Sequence, residues 1–285
     1  MKTFRFLIAI SLCLIATVLS AKELSYKFGV FPYLSPLRMD QIYSPATQQL
    51  SIILDRPVKF TTSSSHQKFL KRLKSEFYDF ALIQPFWYPL AVDQHNYLPV
   101  VRMREPFVSL IMTLDNSVYK TISDLKGTVI ATPPVNVPVV HLARQTLIDN
   151  GITPGEDIQF AHFNSVDSCF QQVLIGKASA CVSPPYATSA FEKAMKTNLR
   201  VLMKSRALPN MSLVIHKRVD KELRGKIQKE FISWSSSDHG RTILNNIQTQ
   251  GFIPVRDNEY DVIRKLKKTL NPDCCEHQQS TPGSH

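Results

Sequence analysis

Hydroxyl, amide and aromatic side chains concentrate in six short segments, each of which follows a strand-like run. The segments are residues 32–35, 61–65, 84–88, 132–136, 162–165 and 183–186. Such side chains are the usual lining of a small-molecule cleft, in which a few polar groups orient the solute. The candidate ligand-binding residues are Tyr33, Ser35, Ser63, Ser64, Gln84, Trp87, Tyr88, Thr132, Asn136, Asn164, Ser183 and Tyr186.

Several of these residues also have a purely structural interpretation. The Ser and Thr side chains of residues 61–65 can cap a helix, because their oxygens accept hydrogen bonds from first-turn amides, and one loop can both cap and bind. Trp87 and Tyr88 can pack in a core. His162 alternates with apolar neighbours on a strand, so a core position is favoured for it. Helix N-termini at these places would favour an anionic ligand.

Short catalytic motifs are absent from the sequence. It contains no Gly-x-Ser-x-Gly, His-Glu-x-x-His or Gly-x-x-x-x-Gly-Lys, and only nine glycines. Carboxylates do not concentrate at the strand ends, so general acid–base catalysis by a carboxylate pair has no support. An enzyme remains an alternative, because catalytic triads assemble in space and not in sequence. Its nucleophile would be Cys169 or Cys181, both of which are expected to be buried.

No cofactor and no metal site are expected. Cys274 and Cys275 lie in a polar C-terminal tail with His277 and His285, but their spacing matches no zinc pattern. The four cysteines that follow the first 21 residues permit disulfides in an oxidising compartment, and the sequence leaves their pairing open.

The N-terminus has the organisation of a secretory signal peptide. Lys2 and Arg5 precede an apolar run over residues 6–19, and the small residues Ser20 and Ala21 offer two cleavage positions. The run is shorter than the roughly 20 apolar residues that span a bilayer, so a membrane anchor is the weaker alternative. We therefore expect export to the periplasm. The net charge of +11 is spread along the chain, and an exported protein is not expected to bind nucleic acid.

Strand-like and helix-like segments alternate along the chain, and this alternation predicts an α/β protein. Three strands begin near Phe28, Val58 and Phe80, and the same order recurs near Val129, Ile158 and Ala180. The repetition predicts two similar lobes, each built on an open α/β sheet. Strand-like runs at residues 108–113, 200–204 and 211–215 predict two crossovers that act as a hinge, an arrangement suited to closure around a ligand.

These patterns predict a domain organisation with a discontinuous first lobe. A stripe of Ile42, Ala46, Leu50 and Ile53 predicts the first helix, and helices near residues 221–235, 241–248 and 257–269 should return to the first lobe. The predicted boundaries are 1–21 for the signal peptide, 22–114 and 206–270 for lobe 1, 115–205 for lobe 2, and 271–285 for a disordered tail.

Five segments in this order resemble the phosphate/phosphite/phosphonate-type periplasmic binding proteins of ABC importers. They are residues 29–36 (GVFPYLSP), 78–85 (YDFALIQP), 124–127 (DLKG), 150–155 (NGITPG) and 176–178 (GKA). The resemblance covers roughly residues 24–269 and implies a type II periplasmic binding protein fold. It also implies delivery of an oxyanion-like solute to a membrane permease, with Tyr33 and residues 84–88 as first-lobe contacts.

The second lobe departs from that family's pattern. Where the family carries a Ser/Thr-rich turn that grips phosphonate oxygens, this sequence has Val-Asn-Val-Pro at residues 135–138. Val166 stands where the family tends to have a His, and Ser183 where it tends to have an Asp. Each lost hydrogen bond is worth roughly 0.5–3 kcal/mol. The departure predicts a ligand that is larger or less charged than phosphonate.

Three functions follow from the sequence. The leading hypothesis is a monomeric substrate-binding subunit of an ABC importer that takes a small, anionic, phosphonate-like or oxyanion-like ligand. A second is a sensory protein that presents the ligand to a membrane histidine kinase or chemoreceptor. The third is a small-molecule enzyme on the same fold.

Overall fold

The computed structural model describes residues 25–135 and 137–269. The predicted signal peptide, the C-terminal tail with Cys274 and Cys275, and the candidate residue Asn136 lie outside this part of the chain. Within the described part, no helix combines the length and the apolar character that crossing a membrane requires.

The first sheet has six strands in the order β11-β4-β10-β3-β1-β2. The first three strands of the chain run parallel, whereas β10 pairs antiparallel with β3 and β4, and β11 pairs antiparallel with β4. The interior strands are nearly continuous apolar runs, as expected where helices cover both faces of a sheet. The strands are β1 (Tyr26–Val30), β2 (Val58–Phe60), β3 (Phe80–Ile83), β4 (Tyr97–Met103), β10 (Ser212–His216) and β11 (Phe252–Pro254).

The second sheet has five strands in the order β7-β6-β8-β5-β9. Its central strand β8 is fully buried and pairs parallel with β6 and antiparallel with β5. The strands are β5 (Leu110–Leu114), β6 (Val129–Thr132), β7 (Gln159–His162), β8 (Ala180–Ser183) and β9 (Leu199–Lys204). The two sheets confirm the predicted two-lobed α/β fold.

Helices cover the two sheets, and several begin at a serine cap. The side chains of Ser35, Ser65 and Ser165 each accept a hydrogen bond from a first-turn amide. The helices are α1 (Pro36–Leu54), α2 (His66–Lys74), α3 (Pro138–Asp149), α4 (Val166–Leu174), α5 (Pro185–Met195), α6 (Lys221–Ser233), α7 (Asp238–Ile247) and α8 (Asp261–Thr269).

The buried stripe of α1 differs from the predicted one. Ala46 and Leu50 are buried as expected, but Ile42 and Ile53 are only partly buried. The residues that face the sheet are Met39, Tyr43, Ala46, Thr47, Leu50 and Leu54. A search for apolar residues overlooks Tyr43 because its side chain carries a polar hydroxyl. Tyr43 nevertheless fits the helical period, since it lies four residues after Met39.

Two short crossovers join the lobes. Phe107 and Leu208 exchange both backbone hydrogen bonds, each at 2.9 Å. The Ser205 amide donates to the Ser109 carbonyl, and the Ser109 amide donates to Ser205 Oγ, also at 2.9 Å. The predicted boundary at residue 114 lies one strand beyond this crossover, because β5 pairs with β8 and β9 of the second sheet. The chain therefore changes sheets just before Leu110.

Candidate functional site

The predicted site segments lie at the carboxyl ends of parallel strands. Residues 32–35 follow β1 and residues 84–88 follow β3, while residues 133–135 follow β6 and residues 184–186 follow β8. Ligands of open α/β sheets lie at this edge, because the helices that follow the strands begin there. The two lobes each contribute one such edge.

A stack of aromatic rings forms the first-lobe side of this edge. The ring of Phe31 lies between those of His66 and Tyr33, with centroid distances of 5.0 Å and 6.0 Å and interplanar angles of 14° and 25°. Trp87 meets Phe31 edge-on at 5.4 Å. Phe31, Tyr33 and His66 are partly buried. We call these four residues the aromatic wall.

Two tyrosine hydroxyls meet behind the wall. The Tyr33 and Tyr43 hydroxyl oxygens are 3.1 Å apart, and one donates to the other. Tyr43 is fully buried and comes from the inner face of α1. Burial raises the pKa of both phenols, and the hydrogen bond from Tyr43 offsets part of this rise at Tyr33. Both groups are therefore neutral hydroxyls at physiological pH.

Tyr186 of the second lobe approaches the same two hydroxyls. Burial, with a smaller contribution from Tyr33, raises the pKa of Tyr186 to about 12. Tyr186 in turn raises the pKa of Tyr43. The ring is nevertheless 49% exposed. Tyr186 is therefore close enough to the two first-lobe hydroxyls to interact with them electrostatically, and its ring remains accessible.

The imidazole of His66 in the aromatic wall is neutral. Its Nε2 lies 2.8 Å from the Pro32 carbonyl oxygen and donates to it. Burial lowers the pKa of His66, and the Pro32 hydrogen bond only partly opposes this. The remaining ring nitrogen, Nδ1, is therefore a hydrogen-bond acceptor.

Thr132 and His162 form a polar pair in the second lobe. The Thr132 hydroxyl donates to the Pro133 carbonyl oxygen at 2.8 Å, so His162 Nδ1 donates to Thr132 Oγ1 at 2.6 Å. Partial burial lowers the pKa of His162, a hydrogen bond to the Pro133 backbone partly opposes this, and the positive charge of Arg144 adds to the lowering. The expectation of a core histidine is wrong, because β7 is an edge strand and leaves His162 exposed.

Three predicted site residues have hydroxyl or amide groups engaged within their own loops. Ser183 is fully buried, donates to the Pro184 carbonyl oxygen at 3.0 Å and accepts from Thr188. Gln84 Oε1 accepts from the Phe86 amide at 2.8 Å and so fixes the turn after β3. Ser63 is buried within 3.4 Å of the Tyr78 hydroxyl.

The other predicted residues are distributed differently. Ser35 caps α1, and Ser64 and Asn164 are exposed at strand ends. Tyr88 is not brought to the wall, because it is fully buried, its ring stacks on Tyr260 at 3.6 Å, and its hydroxyl donates to Asp257 at 2.9 Å.

The site segments contain no formally charged residue. None of residues 32–35, 61–65, 84–88, 132–136, 162–165 or 183–186 is Lys, Arg, Asp or Glu. Recognition there must use hydroxyls, backbone dipoles, imidazoles and aromatic faces. Over residues 25–135 and 137–269, no group of three or more His, Cys, Asp and Glu side chains could hold a metal ion.

The two thiols near the site are poor nucleophiles. Cys169 and Cys181 are free and fully buried. Burial raises the pKa of Cys181 well above its usual value, and the neighbouring Cys169 adds to this. A protonated, buried thiol does not attack a substrate.

Phe31, Tyr43 and His66 belong to the site but were missed in the sequence. Phe31 belongs to the apolar run of the first predicted strand, and Tyr43 lies on the first predicted helix outside its predicted stripe. His66 directly follows the candidate run of residues 61–65 and begins α2. Its position at a helix start was the available signal, because side chains there face the ligand edge of the sheet.

Comparisons with known proteins identify the family and the fold. The family model described as "ABC transporter, phosphonate, periplasmic substrate-binding protein" matches residues 28–260. PhnD1 from Prochlorococcus marinus, solved with methylphosphonate, is similar in fold with a TM-score of 0.71 and 15% identity, over 86% of this chain and 98% of that one.

Two further solved structures have the same fold. A binding-protein component of an ABC phosphonate transporter from Pseudomonas aeruginosa matches with a TM-score of 0.69 and 16% identity, over 86% of each chain. The aliphatic sulphonate binding protein SsuA from Escherichia coli matches with a TM-score of 0.64 and 14% identity, over 86% of this chain and 91% of that one.

Proposed function

This chain belongs to the family of phosphonate periplasmic substrate-binding proteins of ABC transporters, and from that premise we propose that it captures a small oxyanion-bearing solute between its lobes. The observations that carry the proposal are the Tyr33–Tyr43 hydroxyl pair, 3.1 Å apart, at the strand-end edge of the first lobe and the two helix starts without a side-chain cap at the strand-end edge of the second. A solute bound there touches both lobes and favours their closure. We propose no catalytic step.

Neutral donors make this site suitable for an anion. The phenols are protonated at physiological pH; when the buried Tyr43 donates to Tyr33, the hydroxyls of Tyr33 and Tyr186 are each free to donate to a solute. Helices α3 and α5 begin at the second-lobe edge after Val137 and Pro184, and neither residue has a side-chain acceptor that could cap the first-turn amides. Helix N-termini attract negative charge through these amides and the helix dipole.

The proposal extends to location and partners. We propose that residues 1–21 direct export, that the mature protein acts as a monomer in the periplasm, and that it delivers its solute to an inner-membrane permease. We also propose residues 110–204 as the second lobe, in accord with the sheet pairing. A receptor role with a histidine kinase or chemoreceptor is the competing outcome of the genetic test below.

Calorimetric titration of the periplasmically expressed protein tests the binding function. The solutes are phosphate, phosphite, methylphosphonate, phenylphosphonate, methanesulfonate and benzenesulfonate, with uncharged glycerol and cationic choline as controls. We expect saturable binding of at least one oxyanion and none of the controls. Failure of every oxyanion to bind contradicts the proposal.

A deletion strain separates importer from receptor. Loss of uptake of the labelled solute identifies an importer subunit. Unchanged uptake, together with loss of the transcriptional or chemotactic response to the solute, identifies a receptor and contradicts the importer role.

A further inference from the structure

We propose that the solute carries an uncharged, flat unsaturated ring beside its anionic group, and that this ring lies against the aromatic wall. The inference rests on the proposed function, because the wall forms one side of the interlobe cleft. It goes further by specifying the substituent that distinguishes this solute from an alkylphosphonate.

The wall offers a surface that fits a ring. Tyr33, Phe31 and His66 are stacked in sequence with interplanar angles of 25° and 14°, so their faces are nearly parallel. Trp87 fixes the stack from the side, at 5.4 Å from Phe31 and 6.2 Å from His66, and Phe69 packs behind Trp87 at 5.6 Å. A stack held on one side and partly exposed on the other can accept one more ring in an offset arrangement.

Apolar side chains are also exposed at the strand-end edges of both lobes. Leu34, Val135 and Tyr186 belong to the strand-end segments, and 43%, 45% and 49% of their surfaces are exposed. Large apolar side chains exposed together at a ligand edge indicate a partner that covers them. Val135 belongs to the second lobe. It lies in the turn where the resembling family has hydroxyl side chains. The second lobe thus exposes apolar side chains at its own strand-end edge.

The site segments themselves supply no counter-charge for a charged substituent. An aminoalkyl group would need a carboxylate nearby, and residues 32–35, 61–65, 84–88, 132–136, 162–165 and 183–186 contain no Asp or Glu. A second anionic group would need a Lys or Arg, which these segments also lack. A buried charge without a partner is strongly disfavoured, so the substituent is neutral.

A matched series of phosphonates tests the inference by calorimetry. The ligands are methylphosphonate, cyclohexylphosphonate, phenylphosphonate and 2-aminoethylphosphonate. Ring stacking beyond simple apolar burial predicts that phenylphosphonate binds about 2- to 12-fold more tightly than cyclohexylphosphonate, and both more tightly than methylphosphonate. Benzenesulfonate against methanesulfonate repeats the comparison with a different anionic group.

Three outcomes overturn the inference. Equal affinity for the phenyl and cyclohexyl compounds indicates an apolar pocket without ring recognition. Tightest binding of methylphosphonate indicates a site without room for a ring. Tightest binding of 2-aminoethylphosphonate indicates cation recognition. In each case an oxyanion still binds, so the proposed function survives; if no oxyanion binds, the proposed function itself fails.

Substitutions in the wall locate the effect. Phe31→Leu and, separately, His66→Ala should bring the ratio of phenyl to cyclohexyl affinity toward one. Phe77→Leu is the control, because Phe77 is also a partly buried ring but lies before β3, at the opposite edge of the sheet. Circular dichroism and thermal unfolding verify that each variant is folded. An unchanged ratio in both folded wall variants contradicts the proposal.

Discussion

Tyr33 and Tyr186 follow strand ends in different lobes and interact electrostatically, and their hydroxyls can be removed without altering ring packing. We expect Tyr33→Phe and Tyr186→Phe each to weaken oxyanion binding about 2- to 12-fold, since a neutral hydrogen bond contributes roughly 0.5–1.5 kcal/mol. Tyr119→Phe is the control, because Tyr119 follows β5 at the opposite edge of the second sheet. Calorimetric dissociation constants measure the effect, and full affinity in both cleft variants contradicts it.

Gly29 is required for the close approach of β1 to Tyr78. A Cβ at Gly29 would lie 2.5 Å from the Tyr78 ring, which is fully buried and stacked on Phe69. We expect Gly29→Ala to lower the free energy of unfolding by about 1–3 kcal/mol in urea titrations, as in other overpacked cores.

The control substitution should change the free energy of unfolding in the opposite direction. Gly225 lies inside α6, and a Cβ there would have no neighbouring atom within 4 Å. Gly225→Ala should therefore raise the free energy of unfolding by about 0.5–1 kcal/mol, the usual gain in a helix interior. Equal stability of both variants would show that Tyr78 can move aside.

The sequence can select candidate residues that follow strand ends, but not residues whose position depends on the tertiary structure. Tyr33, Trp87 and Tyr186 follow strand ends, and the rule that ligands bind there was sufficient to select them. Tyr88 follows the same strand as Trp87, but the turn capped by Gln84 directs its ring to Tyr260. Only the tertiary structure supplies that direction, since Tyr260 is distant in sequence.

The hinge crossovers contain a matched pair of serines. Ser205 Oγ accepts from the Ser109 amide, and both residues are buried. Ser205→Ala should lower the free energy of unfolding by about 1–3 kcal/mol, because it leaves a buried amide unpaired. Ser109 Oγ has no hydrogen-bond partner within residues 25–135 and 137–269, so Ser109→Ala should be neutral or stabilising. Urea unfolding of both variants measures the contrast, and its reversal would contradict this account of the hinge.

Glu76 joins the end of α2 to β10 and gives stability a pH dependence. Hydrogen bonds from His216 and Asn96 lower the pKa of Glu76 from 4.5 to about 2. Because the folded pKa lies below the unfolded one, the stabilisation is complete above pH 4.5 and declines as the pH falls toward 2. We expect the wild type to be more stable than Glu76→Gln at pH 7, with a smaller difference near pH 2.5.

Urea midpoints at the two pH values test this expectation. Glu222→Gln is the control, because Glu222 is exposed on α6 and pairs with Lys226 one turn away. A difference between wild type and Glu76→Gln that is independent of pH would contradict the assignment.

Element prediction was accurate where apolar runs are uninterrupted and failed where proline interrupts them. Strands β1, β3, β6 and β8 are short apolar runs and were identified correctly. Strand β4 was missed because Pro99 lies in its middle. The sheet accommodates this proline by a register shift between Leu213 and Val214 on the partner strand, a compensation that the sequence of β4 does not reveal.

The whole molecule has its lobes in contact in this structure. Leu142 of α3 packs in the buried cluster of the first lobe, and the rings of His141 and Phe86 lie 6.4 Å apart across the cleft. Two crossovers are the covalent links between the lobes, so separation can occur by rotation at residues 104–109 and 205–211.

Small-angle X-ray scattering measures this motion. We expect a saturating oxyanion to reduce the radius of gyration, because a solute that touches both lobes selects the closed form. Choline at the same concentration is the control. An unchanged radius with a ligand that calorimetry shows to be bound would indicate a permanently closed molecule.

The order of strands along the chain also determines when each sheet can form. Strand β3 lies between β1 and β10, and Ile83 pairs with Ser212. The first sheet therefore stays incomplete on the ribosome until all of the second lobe has been synthesised, whereas the second sheet comes from one continuous segment. A sheet that pairs strands so far apart in the sequence forms slowly. A nascent chain with this arrangement stays unfolded for longer. A translocation channel therefore has more time to engage it before the first lobe folds.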